Sequence, residues 1–221
     1  MASAPARAAL LFASMALANV PAHAEEYLWL QTVAQGPVSG KIVTWLEVQQ
    51  RFSANTDVTI LRPAIGVQLN PKVQLLAGYQ YQLNDREDRP DIREHRLWQQ
   101  ALIRLAGTPG KATLVSRTRL EQRFVVDQSD DTMRVRQFVR GQVWLDPRWS
   151  LIGAGEAFIG LEDTSWGQRE GVEQTRLFAG AAHALTPRLT LEAGLQDQRF
   201  IRPGPDRTNR TVNLSLFYRI V

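Results

Sequence analysis

The stretch that decides the fold is residues 42–52, which read IVTWLEVQQRF. One phase of its alternation carries Ile42, Leu46 and Val48, and the other phase carries Glu47 and Arg51. Because successive side chains of a β-strand point to opposite faces, this alternation predicts a strand with one apolar face and one polar face.

The same alternation recurs to the end of the chain in eleven segments, with no helical period between them. Short turns such as residues 70–72 and 146–148 alternate with longer polar loops such as 84–92 and 162–171. Aromatic residues gather near the strand ends, as in an interfacial girdle. We therefore predict an all-β fold, an antiparallel up-and-down transmembrane β-barrel of about 10 to 12 strands.

The first 24 residues have the pattern of a secretory signal peptide. Arg7 precedes an apolar run at 8–18, and Ala22-His23-Ala24 is a small-x-small cleavage site. The run is shorter than the ~20 residues that a membrane-spanning helix needs. We expect cleavage after Ala24, a single barrel domain over residues 25–221, and a location in the outer membrane of a Gram-negative cell.

The parity of the strands is a separate question. If the C-terminal strand ends in the periplasm, counting back along the chain makes residues 42–52 a strand that runs away from the periplasm and residues 27–34 a strand that runs toward it. The count then includes an additional N-terminal strand, although bacterial barrels usually have an even number of strands. We expect ten strands from Ile42 onward, with residues 27–34 as an extra N-terminal strand or a segment inside the barrel. A barrel of twelve strands is the alternative.

Several short motifs resemble those of a known family. They are Trp29, EHRLWQQ at 94–100, RTRLEQR at 117–123, DTSWGQR at 163–169, and Arg176. On these the chain resembles the domain-of-unknown-function 2490 proteins, which are uncharacterised exported β-barrels of Gram-negative bacteria. The resemblance covers nearly the whole mature chain and implies a barrel without assigned activity. The chain ends in Val221, whereas such barrels usually end in an aromatic residue that the assembly machinery recognises.

The cationic residues are divided unequally, with 23 Arg and 3 Lys in a chain of net charge +4. This charge is too small to indicate a nucleic-acid partner, and an exported protein would not meet one. If the apolar strand faces meet lipid, the charged faces line the lumen. The predicted lumenal charge network consists of Glu47, Arg51, Arg62, Glu94, Arg96, Arg104, Arg117, Arg119, Glu121, Arg123, Arg134, Arg136, Arg140, Glu156, Arg176 and Glu192.

Two interpretations of this network remain open. In the first, arginine and glutamate side chains interlock and fill a narrow lumen, which suits the planar, bidentate guanidinium group. In the second, the excess of arginine makes a small anion-favouring channel or an anion-attracting pocket. A genomic bias toward arginine is a third explanation for the excess of arginine over lysine. A soluble periplasmic binding barrel, with its apolar faces turned inward, is the alternative to the membrane protein.

Few residues point to catalysis, and we predict no enzyme. The mature chain has two histidines, of which His95 lies near the outer rim and is the candidate base for a rim-located lipid-modifying enzyme. The candidate hydroxyls Thr113 and Ser116 fall at the far end of the hairpin, and Ser165 lies in another loop. With no cysteine and no calcium-loop spacing, we assign no cofactor and no metal. The expected partners are outer-membrane lipid, lipopolysaccharide and the barrel assembly machinery, for a monomeric protein.

Overall fold

The computed structural model describes residues 26–202 and 204–221. Eleven strands make up the fold in these residues, with no helix. They are β1 (Glu26–Ser39), β2 (Ile42–Phe52), β3 (Thr56–Asn70), β4 (Val73–Arg86), β5 (Ile92–Thr108), β6 (Ala112–Val125), β7 (Thr132–Trp144), β8 (Trp149–Gly160), β9 (Gly171–Ala184), β10 (Leu189–Phe200) and β11 (Arg207–Arg219). No helix long and apolar enough to cross a membrane occurs in this part of the chain.

The strands close into one barrel. Each strand from β1 to β10 pairs antiparallel with the strand that follows it in sequence, and β11 pairs in parallel with β1 to close the barrel. In this parallel seam Leu28 lies opposite Val212 and Gln35 opposite Arg219. The predicted all-β up-and-down barrel of 10 to 12 strands is thus confirmed, with ten antiparallel strands from Ile42 onward and eleven strands in all among the described residues. Residues 27–34 belong to a closing strand rather than to a segment inside the barrel. The predicted signal peptide falls outside the described residues.

The two ends of the barrel differ in their connections. Three of the turns at one end repeat a polar residue followed by proline and a basic residue, at 70–72, 146–148 and 186–188. In each, the polar side chain accepts hydrogen bonds from backbone N–H groups just beyond the proline, as Asn70 Oδ1 does from Val73 at 3.1 Å. We call this the short-turn end and the opposite one, which carries the loops at 87–91, 126–131 and 161–170, the long-loop end.

Burial in this barrel is inverted relative to that of a water-soluble protein. Among the described residues, nine hydrophobic side chains are buried, against twenty-two polar or charged ones. Large apolar side chains instead cover the outer wall, where Leu46, Leu97 and Leu177 are each about half exposed. The alternation in the sequence therefore places apolar residues outside and polar residues inside.

A small apolar cluster fills the interior on one side of the barrel. Val43, Leu76 and Trp98 are buried together there. The indole of Trp98 lies against β4 at Gly78, where a Cβ atom would be 2.7 Å from Trp98 Cζ2 and 2.5 Å from the carbonyl oxygen of Pro63. Only glycine fits between these two groups, because real contacts of a Cβ atom are longer than 3.0 Å. The glycine thus allows a large aromatic ring to occupy the interior.

Candidate binding site in the barrel interior

Arginine and glutamate side chains from neighbouring strands form a connected network inside the barrel. At its centre is Glu121, whose oxygens lie 2.6 Å from Arg134 Nη2 and 2.8 Å from Arg136 Nη1. Arg136 also reaches Glu156 at 2.8 Å, and Glu156 in turn accepts a hydrogen bond from Arg117 at 2.5 Å. Alternate residues of β6, β7 and β8 project to the same face, so their charges meet in the interior.

Three further glutamates extend the network to other strands. The carboxylate of Glu94 accepts hydrogen bonds from Arg96 Nη2 and Arg123 Nε, each at 2.6 Å. Another pair joins β2 to β3, with Arg62 Nη1 at 2.6 Å from Glu47, and the remaining nitrogens of this guanidinium donate to Gln80. On the far wall Arg140 lies 2.7 Å from Glu192. These charges are paired and hydrogen-bonded, which is the condition for burying them.

Two residues differ from the sequence prediction. Arg104 was predicted in the charge network, but its Nη2 donates to the carbonyl oxygen of Pro71 at the short-turn end. Glu173 was not predicted, yet it lies 2.7 Å from Arg134 Nη1. The pairing of β8 with β9 shifts there, since Phe158 pairs with residue 174 and the next residue pairs with 172. Such a bulge leaves Glu173 unpaired in the ladder and turns it inward, and strict alternation cannot reveal it.

The other predicted arginines also face the interior but have weaker carboxylate contacts. Arg119 donates to Gln100 Oε1 and lies 3.7 Å from Glu121. For Arg176 the separation from Glu156 is 4.0 Å. Arg51 donates to Gln49 Oε1, and no carboxylate among the described residues lies within 4.0 Å of it. Neutral amides therefore take the place of carboxylates beside Arg51 and Arg119.

Aromatic rings cover the guanidinium planes. The guanidinium groups of Arg51 and Arg176 lie over the ring of Trp29, with Cζ at 4.0 Å and 4.9 Å from the ring centroid. Phe158 lies under Arg136 and also under Arg176, at 4.5 Å and 4.4 Å. These distances are within the range of cation–π attraction, which holds an arginine side chain in place without removing its charge.

Two large cavities lie inside the barrel that the described residues form, one toward each end. The upper chamber, toward the long-loop end, has a volume of about 710 Å³, and the lower chamber about 480 Å³. Both chambers border on the same five side chains, which we call the waist. The waist residues are Trp29, Arg51, Arg62, Arg136 and Arg176. Among the described residues, the two chambers thus meet at side chains.

The two chambers differ in charge. The acidic residue that lines the upper chamber is Asp88, whereas the lower chamber is lined by Glu47, Glu156 and Glu192. Ten arginines line the upper chamber, of which Arg62, Arg96, Arg123, Arg134 and Arg136 are paired with glutamates behind its wall. The ten are Arg51, Arg62, Arg86, Arg89, Arg96, Arg123, Arg134, Arg136, Arg176 and Arg207. The lower chamber has six arginines and is closer to neutrality.

The loop between β8 and β9 is anchored to the barrel by Gln168, which sequence reasoning did not single out as a site residue. Its amide oxygen accepts from Arg123 Nη1 at 2.9 Å, and its nitrogen donates to Thr132 Oγ1 at 2.6 Å. In the same loop Trp166 Nε1 donates to the carbonyl oxygen of Asp130. The hydroxyl and backbone N–H of Ser165 hold the pKa of Asp130 below its usual value. The motif at 163–169 is thus a loop anchor.

The candidate catalytic residues are not brought together. His95 Nδ1 lies 2.5 Å from the hydroxyl of Tyr79 on the outer wall, and its ring also contacts Tyr81. Ser116 accepts from Gln137, while Ser165 contacts Asp130 across two loops. Within the described residues, no group of three or more acidic or histidine side chains is arranged to hold a metal ion.

Comparison with known proteins gives the same family as the sequence motifs. The model of a family described as a protein of unknown function (DUF2490) matches residues 26–209. An uncharacterized protein from Methylorubrum extorquens is 33% identical over 202 residues, which covers 86% of this chain and 87% of the relative. No solved structure is detectably similar. The chain therefore belongs to the DUF2490 family of proteins of unknown function.

Proposed function

We propose that this protein is an outer-membrane β-barrel with a structural or binding role, whose lumen is blocked at mid-height by the Arg/Glu network. In this proposal residues 1–24 are a signal peptide removed after Ala24. The assembly machinery inserts the barrel as a monomer, and its outer wall contacts lipid and lipopolysaccharide. No cofactor and no enzymatic reaction are part of the proposal.

The outer wall supports the membrane location. Monomeric soluble proteins rarely expose apolar patches larger than a few hundred Å², whereas leucine, isoleucine and valine side chains are exposed here along the outside of the barrel. The strands have 11 to 17 residues, longer than the ~9–11 needed to cross a bilayer at a tilt. A soluble binding barrel would turn these side chains inward and its charges outward.

The waist is the observation that favours a blocked lumen over an open pore. Arg62 and Arg136 project into it and are held by Glu47 and Glu121 at 2.6 Å and 2.8 Å. Each of these four side chains is at most 7% exposed. Fixed, paired side chains at the same height on different walls leave little room for ions to pass.

Cell fractionation and conductance together test the proposal. We expect the protein in the detergent-extracted outer membrane as a species whose gel mobility changes on heating. In planar bilayers we expect little or no steady conductance. Recovery in the soluble periplasmic fraction contradicts the membrane location, and a large steady conductance contradicts the blocked lumen.

A small anion-favouring channel is the second candidate, favoured by the two chambers that meet at the waist. The upper chamber is lined by ten arginines and the lower one by six. Rearrangement of the waist side chains alone would join them. Small steps of anion-selective conductance in the same bilayer recordings would support this candidate over the blocked barrel.

A further inference from the structure

We propose that the upper chamber is a binding site for a small water-soluble anion that carries two or more phosphate or carboxylate groups, held at the waist by Arg51 and Arg176. This inference gives the binding role proposed above a site and a ligand class. It therefore rests on that role. Its experiment measures binding, whereas cell fractionation and conductance test the location and the blocked lumen.

The first argument is that the glutamates of the network are already engaged. Each of the six interior glutamates has an arginine nitrogen within 2.7 Å. Arg51, by contrast, has an amide oxygen as its partner, and Arg176 is 4.0 Å from the nearest carboxylate. At the same waist Arg62 and Arg136 are paired with carboxylates at 2.6 Å and 2.8 Å, so Arg51 and Arg176 are the waist arginines without a close carboxylate.

The second argument concerns geometry. Arg51 and Arg176 both lie against the ring of Trp29, at 4.0 Å and 4.9 Å from its centroid. The ring therefore holds two guanidinium groups at the floor of one chamber although their charges repel. Guanidinium groups bind phosphate and carboxylate oxygens through paired N–H donors. An anion at this floor would supply the negative charge that the described side chains do not supply.

The third argument is the size and accessibility of the chamber. Its volume of about 710 Å³ falls in the range of small-molecule sites, about 300–1,000 Å³. The lining extends from Arg176 at the waist to loop residues Asn55, Asp88 and Arg89 at the long-loop end. A ligand thus enters from water at that end, and arginines along the wall favour an anion with more than one charged group.

Titration calorimetry on the full, detergent-folded barrel tests the inference, with pyrophosphate and citrate as probes. We expect one site per barrel and affinity at least about tenfold higher for pyrophosphate than for orthophosphate, as one additional charge-assisted contact gives. Arg51→Gln and Arg176→Gln should each weaken binding about tenfold or more. Arg188→Gln removes the same charge from the exposed short-turn end and should leave binding unchanged. Arg51→Lys keeps the positive charge but loses the paired N–H donors of the guanidinium group, and it should weaken binding less than Arg51→Gln does.

Several results would overturn the inference. Absence of binding by both probes would do so, as would equal losses in Arg51→Gln and Arg188→Gln, which would indicate unspecific attraction. Displacement of pyrophosphate by a diphosphorylated lipid would assign the site to a lipid headgroup instead of a soluble anion. A variant that has lost heat-modifiable mobility is unfolded, and the comparison then rests on Arg51→Lys. A barrel that fractionates and conducts as proposed but binds neither probe contradicts only this inference.

Discussion

The carboxylate of Glu121 lies 2.6 Å from the guanidinium of Arg134, and their side chains are 0% and 7% exposed. Glu121 also receives Arg136 at 2.8 Å. Glu121→Gln leaves both arginines with one carboxylate fewer in the barrel interior, where unpaired charge is costly. We expect the free energy of unfolding to fall by about 3 to 5 kcal/mol, the usual cost of breaking a buried pair from one side.

Urea titration of the detergent-folded barrel, followed by heat-modifiable mobility, measures this loss. The matched control is Asp163→Asn, because Asp163 and Arg169 form an ion pair at 3.1 Å in which both side chains are more than half exposed. We expect the control to unfold at the wild-type urea concentration. Equal midpoints for the two variants would mean that the interior network does not stabilise the barrel.

Gly78 and Gly153 provide a second test, because both are strand glycines with different surroundings. A Cβ atom at Gly78 would collide with Trp98 and with Pro63, whereas one at Gly153 meets nothing within 4 Å. Gly78→Ala should lower the free energy of unfolding by about 1–3 kcal/mol, as overpacking does. Gly153→Ala should leave it unchanged or slightly higher. The urea midpoints compare them directly, and a stable Gly78→Ala barrel would show that Trp98 can move.

The fold could be predicted from alternation because one residue phase is apolar in nearly every strand. The inward direction of Glu47, Glu121 and Glu192 follows from the same alternation. Glu173 could not be predicted, since a bulge shifts the pairing of β9 by one residue. Nor could Gln168, because its role depends on how a loop folds back onto β6 and β7.

Gln168 makes a third prediction possible. Its amide joins Arg123 and Thr132 at 2.9 Å and 2.6 Å and is almost fully buried. Gln168→Ala leaves these partners unsatisfied, which costs about 1–3 kcal/mol per buried polar group. We expect the loop at 161–170 to be cleaved faster by a protease added to the folded barrel. Arg169→Ala, in the exposed ion pair of the same loop, is the control and should be cleaved at the wild-type rate.

Trp29 provides a test of the waist itself, since Arg51 and Arg176 both lie against its ring. Trp29→Ala removes the largest waist side chain and frees both guanidinium groups to move apart. We expect larger conductance steps in planar bilayers with a preference for anions. That preference should weaken at high salt, because mobile ions screen fixed charges.

Phe200→Ala is the matched control for this experiment, because Phe200 lines the upper chamber but not the waist. Its loss should enlarge the upper chamber and leave the conductance as in the wild type. If Trp29→Ala also conducts like the wild type while remaining heat-modifiable, the block does not depend on the indole. It would then lie in the ion pairs of Arg62 and Arg136, which hold their side chains across the interior independently of Trp29.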